Sequence, residues 1–263
     1  MQKMKTSYTD EYEHYLVDLY VKAGLSSEKQ QYVRKGDIWK VLGFQNHDPA
    51  SDIRGGGILC LENMLFFFRV HRHAAQSMIK KRADGWDTFE TFPWAPASIN
   101  ITRLVASEFS ICGPGGQTKS SSSSKTRGIL PKTSFHMLLE NDGFSRIYVL
   151  AFLLLDKVWD EQGATYMQFN AVLESVRKEL AEAIALTDEL SELEQQIFER
   201  VHYIPPPMID LSVQDDIQTE HLRSSQSRNR NVSDGFVNSC CNPPRETTLR
   251  FRHSTSRVTV ATV

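Results

Sequence analysis

The stretch Ser145–Asp160 is apolar on nearly every face when wound as a helix, and its fully apolar run, Ile147–Leu155, is nine residues long. A membrane span needs roughly 20 such residues. A helix this short and this apolar has to sit at the centre of a bundle, with other helices covering each side. Ile58–His71 has the same character. The covering helices are legible as stripes. Tyr12, Tyr15, Leu16, Leu19 and Tyr20 recur at helical spacing, as do Phe169, Val172, Leu173, Val176, Leu180, Ala183 and Ile184 over four turns, then Leu190, Leu193, Ile197 and Val201. Ser191 with Glu194 has the spacing of a capping box near the start of the last helix. Sustained period-two alternation is hard to find before the C-terminal region. The expected fold class is all-α.

Two breaks in composition divide the 263 residues. Gly113–Gly128, with the homopolymer Ser120–Ser124, reads as a surface loop joining two folded parts. From Pro205-Pro206-Pro207 onward, aromatic residues fall to Phe236 and Phe251, too little apolar surface to offset the entropy of ordering the chain. The expected organisation is a helical domain over 1–204 and a disordered tail over 205–263. The tail is acidic at first and arginine-rich after Arg223. With Lys+Arg at 30 against Asp+Glu at 32, the near-neutral balance argues against a nucleic-acid partner. Four cysteines exclude a disulfide scaffold, and no apolar leader follows Met1. The expected localisation is cytoplasmic.

One segment is unlike ordinary helix packing: Trp39-x3-Gly43-Phe44-Gln45-x2-Asp48-Pro49-x2-Asp52-Ile53-Arg54-Gly55-Gly56-Gly57. Asp48-Pro49 starts a turn, since the residue before proline is pushed out of helical space. The three glycines permit close or left-handed backbone just before an apolar helix. Arg54 is thereby held at a helix mouth beside Asp52, with little bulk around it. Spacing leaves two readings open. Arg54 pairs with Asp52 and stabilises the loop, which is common for such pairs, or its guanidinium is presented to a phosphate. Trp39 and Phe44 read as core anchors, Gln45 as a buried structural amide.

This stretch, continued by Leu59, Leu61 and Asn63, closely resembles the hallmark motif of the ELMO (engulfment and cell motility) domain family. Phe92-Pro93-Trp94-Ala95 with Ile99-Asn100-Ile101-Thr102, and Trp159-Asp160 with the Tyr166–Leu173 helix, are similar to that family's later blocks. The resemblance covers roughly residues 25–190. It implies an all-helical ELMO-type domain. It also implies one of two activities. Short family members activate GTP hydrolysis by Arf and Arl GTPases, whereas long ones partner DOCK-type exchange factors for Rac. This chain resembles the short kind. By resemblance Arg54 is the catalytic arginine, Asp52, Gln45 and Asp48 support it, and Trp39, Gly43, Phe44, Pro49, Gly55 and Gly57 are structural. The family usually has Phe where this chain has Ile53. The partner GTPase would supply Mg²⁺, so no cofactor and no metal of the chain's own is expected. Peripheral association with internal membranes stays open. The alternative is a non-catalytic adaptor that docks a small GTPase or an exchange factor.

Weaker signals have structural explanations. Gly113–Ser120 nearly matches a phosphate-binding loop, but Thr118 replaces the required second glycine. His71, His73 and His47 lack zinc spacing and read as solvated helix-end residues. Cys240-Cys241 offers a weak acylation signal, and Glu140 with Asp142 reads as a polar turn between helices.

Overall fold

The computed structural model describes residues 3, 8–26, 31–83, 90–109, 111 and 132–207. The Ser-rich loop, the phosphate-loop-like segment, the tail from residue 208 and Cys240-Cys241 lie outside them. The described elements are helical. They are α1 (Glu13–Lys22), α2 (Ala50–Ile53), α3 (Gly57–Val70), α4 (Arg72–Ala83), α5 (Trp94–Glu108), α6 (Gly143–Gln162), α7 (Phe169–Leu186) and α8 (Leu190–Val201), with 3₁₀ turns at Asp10–Tyr12, Asp37–Leu42, Lys132–Leu139 and Tyr166–Gln168. No strand occurs among the described residues, so the all-α expectation holds.

The apolar run does what its composition requires. Every residue from Ile147 to Leu155 is buried, as are Val158 and Trp159, because α3, α5, α7 and α8 all pack on α6. Helix α3 is the second axis, burying Ile58, Cys60, Leu61, Met64, Leu65, Phe67 and Phe68 among α1, α4, α5 and α6. A side chain of this size gains roughly 1.5–3 kcal/mol on full burial, so these two helices dominate the driving force. The amphipathic stripes face inward: Leu16, Leu19 and Tyr20 from α1, Val172, Val176 and Leu180 from α7, and Leu190, Leu193 and Ile197 from α8 are buried.

Several polar groups inside this core are paired across helices. Asn63 of α3 donates through Nδ2 to Thr102 Oγ1 of α5 at 3.1 Å, and accepts from Ser145 Oγ of α6 at 2.9 Å. Ser98 and Tyr148 share a buried hydroxyl contact at 2.6 Å. These bonds fix the register of three helices, because a slip would strand buried polar atoms without partners.

Two local expectations are corrected. Ser191 and Glu194 do not form a capping box. Helix α8 already begins at Leu190, Ser191 bonds Glu189 at 3.2 Å, and Glu194 takes both its bonds from Arg146 at 2.7 Å. The box is instead formed by Thr165 and Gln168, which open the turn before α7. His71 is not solvated. It is 8% exposed, hydrogen-bonded through Nδ1 to the Tyr203 hydroxyl at 3.0 Å, and set against the Phe67 and Phe198 rings. Burial pushes its pKa down to about 4. His47 and His73 are exposed as expected. The Glu140–Asp142 turn also holds, since Glu140 accepts from Arg146 at 3.1 Å and from the Leu190 N–H at 3.4 Å, joining two helices.

Candidate functional site

The segment preceding α3 is built on two anchors. Trp39 is fully buried and Phe44 nearly so; their rings meet edge-on with centroids 5.7 Å apart, and Trp39 Nε1 donates to the Val33 carbonyl at 3.0 Å. Between them the chain turns at Gly43, with φ of 82°. A Cβ here would stand 2.9 Å from Pro93 Cβ and 3.0 Å from the Trp94 nitrogen. Only glycine adopts this conformation cheaply and lets the segment lie against the start of α5.

The next turn is organised by two carboxylates with different tasks. Asp48 caps the one-turn helix α2 by accepting the Ala50 N–H at 3.0 Å, with buried Pro49 between them. Its Oδ1 also takes Arg34 Nη1 at 2.5 Å, and its Oδ2 lies 3.2 Å from Lys35 Nζ. Burial acts to raise its pKa. The hydrogen bonds from Arg34, Lys35 and the Ala50 N–H outweigh that and hold it below the usual carboxylate range. Asp52 accepts the Gln45 backbone N–H at 2.7 Å, Asn46 Nδ2 at 3.2 Å and Ser51 Oγ at 3.2 Å. It staples both sides of the turn together.

Arg54 follows at the end of α2, exposed to solvent. Its Nε donates to the Ser51 carbonyl at 3.0 Å. No carboxylate of the described residues lies within ion-pair distance of it, so the pair with Asp52, one of the two readings that spacing leaves open, does not form. Asp52 bears on Arg54 through Ser51 instead: one carboxylate fixes the residue whose carbonyl fixes the guanidinium stem. The two terminal nitrogens have no partner among the described residues. Ile53, where the family usually carries Phe, is fully buried, so the apolar anchor is kept. Gly55 and Gly56 lie against α5 and α3, where added Cβ atoms would come 3.3 Å from Ile99 Cγ2 and 3.1 Å from Cys60 Cβ. Gly57, at φ of 63°, sets the entry into α3.

Gln45 is exposed, which corrects its reading as a buried amide. What the sequence reading missed is Arg34. Its Nε meets Glu13 Oε2 of α1 at 2.7 Å while its Nη1 holds Asp48, and its guanidinium lies over the Tyr8 ring at 4.8 Å. The hydroxyls of Tyr8 and Tyr32 donate to the same Glu13. Arg34 thus ties the turn to α1. Nothing in the local spacing of an Arg-Lys pair marks it, because its partners stand 14 and more residues away. Among the described residues no cluster of His, Cys, Asp or Glu could hold a metal, and no helix is long and apolar enough to cross a membrane.

The fold and site together define an all-helical domain in which a turn ahead of a central helix presents Arg54, whose guanidinium has no ion-pair partner among the described residues. The chain belongs to the ELMO/CED-12 family, whose sequence profile matches residues 2–173. It is 32% identical over 187 residues to ELMO domain-containing protein C of Dictyostelium discoideum, covering 69% of this chain and 28% of that protein. Engulfment and cell motility protein 3 of Bos taurus is 30% identical over 175 residues, covering 66% of this chain and 25% of that protein. ELMO domain-containing protein B of Dictyostelium discoideum is 27% identical over 175 residues, covering 64% and 51%. The chain therefore spans between a quarter and a half of these relatives.

Proposed function

We propose that the chain is a GTPase-activating protein for small GTPases of the Arf or Arl type, with Arg54 as the residue supplied in trans. The observation that carries this reading is the state of the Arg54 guanidinium: fixed at Nε by Ser51, open at both terminal nitrogens, and exposed. GTP hydrolysis by a small GTPase is slow because negative charge spreads over the oxygens of the transferring phosphoryl group. A planar guanidinium offers two parallel donors to two such oxygens. Its stem is already immobilised, so little ordering remains to be done at the moment of reaction. The GTPase supplies Mg²⁺ and orients the attacking water. An arginine in trans contributes about 10³–10⁵ in rate, or roughly 4–7 kcal/mol.

Asp52 and Asp48 act as positioning residues in this scheme, one through Ser51 and one through the cap of α2. Single-turnover GTP hydrolysis by a panel of purified Arf-, Arl- and Rac-type GTPases tests it. The wild-type chain accelerates an Arf- or Arl-type member, and Arg54→Ala and Arg54→Lys both lose the acceleration while melting as wild type does. Lysine fails because an ammonium cannot span two oxygens. Acceleration that survives either substitution overturns the role of Arg54.

The similarity to engulfment and cell motility protein 3 favours a second reading, a docking module for a GTPase or exchange factor without catalysis. Binding to a panel member with no change in its hydrolysis rate would select it.

A further inference from the structure

Beside the Arg54 turn lies a cleft of about 270 Å³ that the proposed chemistry does not use. Gln45, Pro96 and Asn100 of α5, and Tyr166, Met167 and Asn170 are among the residues that line it. It adjoins the arginine through two routes. The Gln45 backbone N–H is bonded to Asp52, and Ile99, between Pro96 and Asn100 in sequence, is the side chain against which Gly55 rests.

Three features of this cleft are unusual together. Its lining holds no charged side chain. Besides Tyr166, its polar side chains are carboxamides from three separate segments, Gln45, Asn100 and Asn170. Of these only Asn100 has a described side-chain bond, donating to the Pro96 carbonyl at 2.9 Å and keeping its own oxygen open. A carboxamide both donates and accepts, which matches the alternating N–H and C=O of a peptide backbone. At the rim, Met167 is 88% and Tyr166 44% exposed. They are held there by the Thr165–Gln168 capping box rather than by packing of their own. An adaptable thioether and an aromatic ring, kept in water by a rigid turn, are groups that bury well against a partner.

We infer that this cleft seats a main-chain segment of the same GTPase whose nucleotide Arg54 reaches, with Met167 and Tyr166 as the apolar anchors. The inference rests on the proposed function for the identity of its occupant. A backbone segment suits the amides, and an uncharged lining leaves the phosphate charge to Arg54 alone. The cleft then sets affinity and Arg54 sets rate.

Affinity and turnover separate the two. Panel GTPases loaded with a non-hydrolysable GTP analogue are titrated with the wild-type chain and with Met167→Glu, Tyr166→Ala, Gln45→Ala and Arg54→Ala by calorimetry, and single-turnover rates are measured at saturating chain. Met167→Glu weakens binding about tenfold or more, with an unchanged rate at saturation and an unchanged melting temperature. Arg54→Ala does the reverse. Binding by Met167→Glu and Tyr166→Ala within twofold of wild type overturns the inference. So does a wild-type chain that binds no panel member. If a GTPase is bound but not accelerated, the activating function fails, while loss of that binding in Met167→Glu still sustains the cleft.

Discussion

Two arginines divide this molecule's use of the guanidinium group. Arg82, at the end of α4, is 5% exposed. Its Nε donates to Asp156 Oδ1 at 2.9 Å, its Nη2 reaches Asp160 Oδ1 at 3.0 Å and the Asp156 carbonyl at 3.1 Å, and its plane lies 4.6 Å over the Phe92 ring. Arg54 has one bond, to a carbonyl, made by the nitrogen nearest its stem. The arginine that holds helices together spends Nε and Nη2 on carboxylates and a carbonyl of one neighbouring helix; the one kept for a partner is bonded at its stem. The comparison also separates burial from restraint. Arg82 is fixed because it is buried, whereas Arg54 is fixed while exposed, through a turn whose own rigidity comes from Asp52, Asp48 and Arg34.

Substitution should therefore give opposite phenotypes, and the largest effect is the loss of about 10³–10⁵ in GTPase activation for Arg54→Ala with stability retained. Next comes Arg82→Ala, which leaves Asp156 and Asp160 facing only Lys81 and uncovers the Phe92 ring. Losing a buried guanidinium, with both carboxylates still partly in solvent, costs about 2–3 kcal/mol, and at roughly 2–4 °C per kcal/mol the melting temperature falls by roughly 5–10 °C. Calorimetric melting and single-turnover hydrolysis, run on both variants, check the pair. A stable Arg82→Ala, or a destabilised Arg54→Ala, breaks the distinction.

Much of this was legible from local pattern. The apolar run Ile147–Leu155 announced the central helix, and the stripes through Leu16, Leu19, Val172, Val176 and Leu193 lie inward, because helical period is a property of neighbours in sequence. Trp39 and Phe44 are anchors, as their bulk suggested. What pattern missed depends on contacts between distant residues. Asp52 stands two positions from Arg54, and spacing leaves a pair between them open, yet Asp52 binds the backbone N–H of Gln45, seven residues back. His71 does stand at a helix end, but Tyr203, 132 positions away, takes the place of solvent on it. Both Ser191-x2-Glu194 and Thr165-x2-Gln168 satisfy the capping spacing, and only the true helix start decides between them.

The His71 contact gives a smaller effect of a different kind, dependent on pH. Burial holds its pKa at about 4, below the ordinary 6.5. The unfolded chain therefore takes up a proton that the native state refuses. Stability from this group is intact above pH 6.5 and is lost as pH falls toward 4, by about 1.4 kcal/mol per unit and about 3 kcal/mol in all. Glu161, held at about 2 by Arg200, acts in the same direction but at lower pH, between its ordinary 4.5 and 2. Urea midpoints at pH 7 and pH 4.5 for wild type and His71→Phe separate the two windows. The wild-type midpoint drops more steeply than that of the variant; equal slopes would mean that His71 titrates normally.

The smallest effect falls inside the motif itself, where the glycines repeat the division between the two arginines. Gly43 occupies left-handed backbone, and a Cβ there meets Pro93 and the Trp94 nitrogen at 2.9–3.0 Å, with main chain that has nowhere to go. Gly43→Ala costs about 1–2 kcal/mol from backbone conformation alone, and more from the contact. Gly55 has no left-handed backbone, and its nearest neighbour is the Ile99 side chain at 3.3 Å, which needs to yield by only a few tenths of an ångström. Gly55→Ala should stay within about 0.5 kcal/mol of wild type, with the lower entropy of its unfolded chain in its favour. Melting curves for the two variants rank them. Because Gly55 separates Arg54 from α3, its alanine variant also asks a question of rate. If a turn that melts normally activates a GTPase less well, the glycine serves the approach of the partner's phosphates rather than the fold.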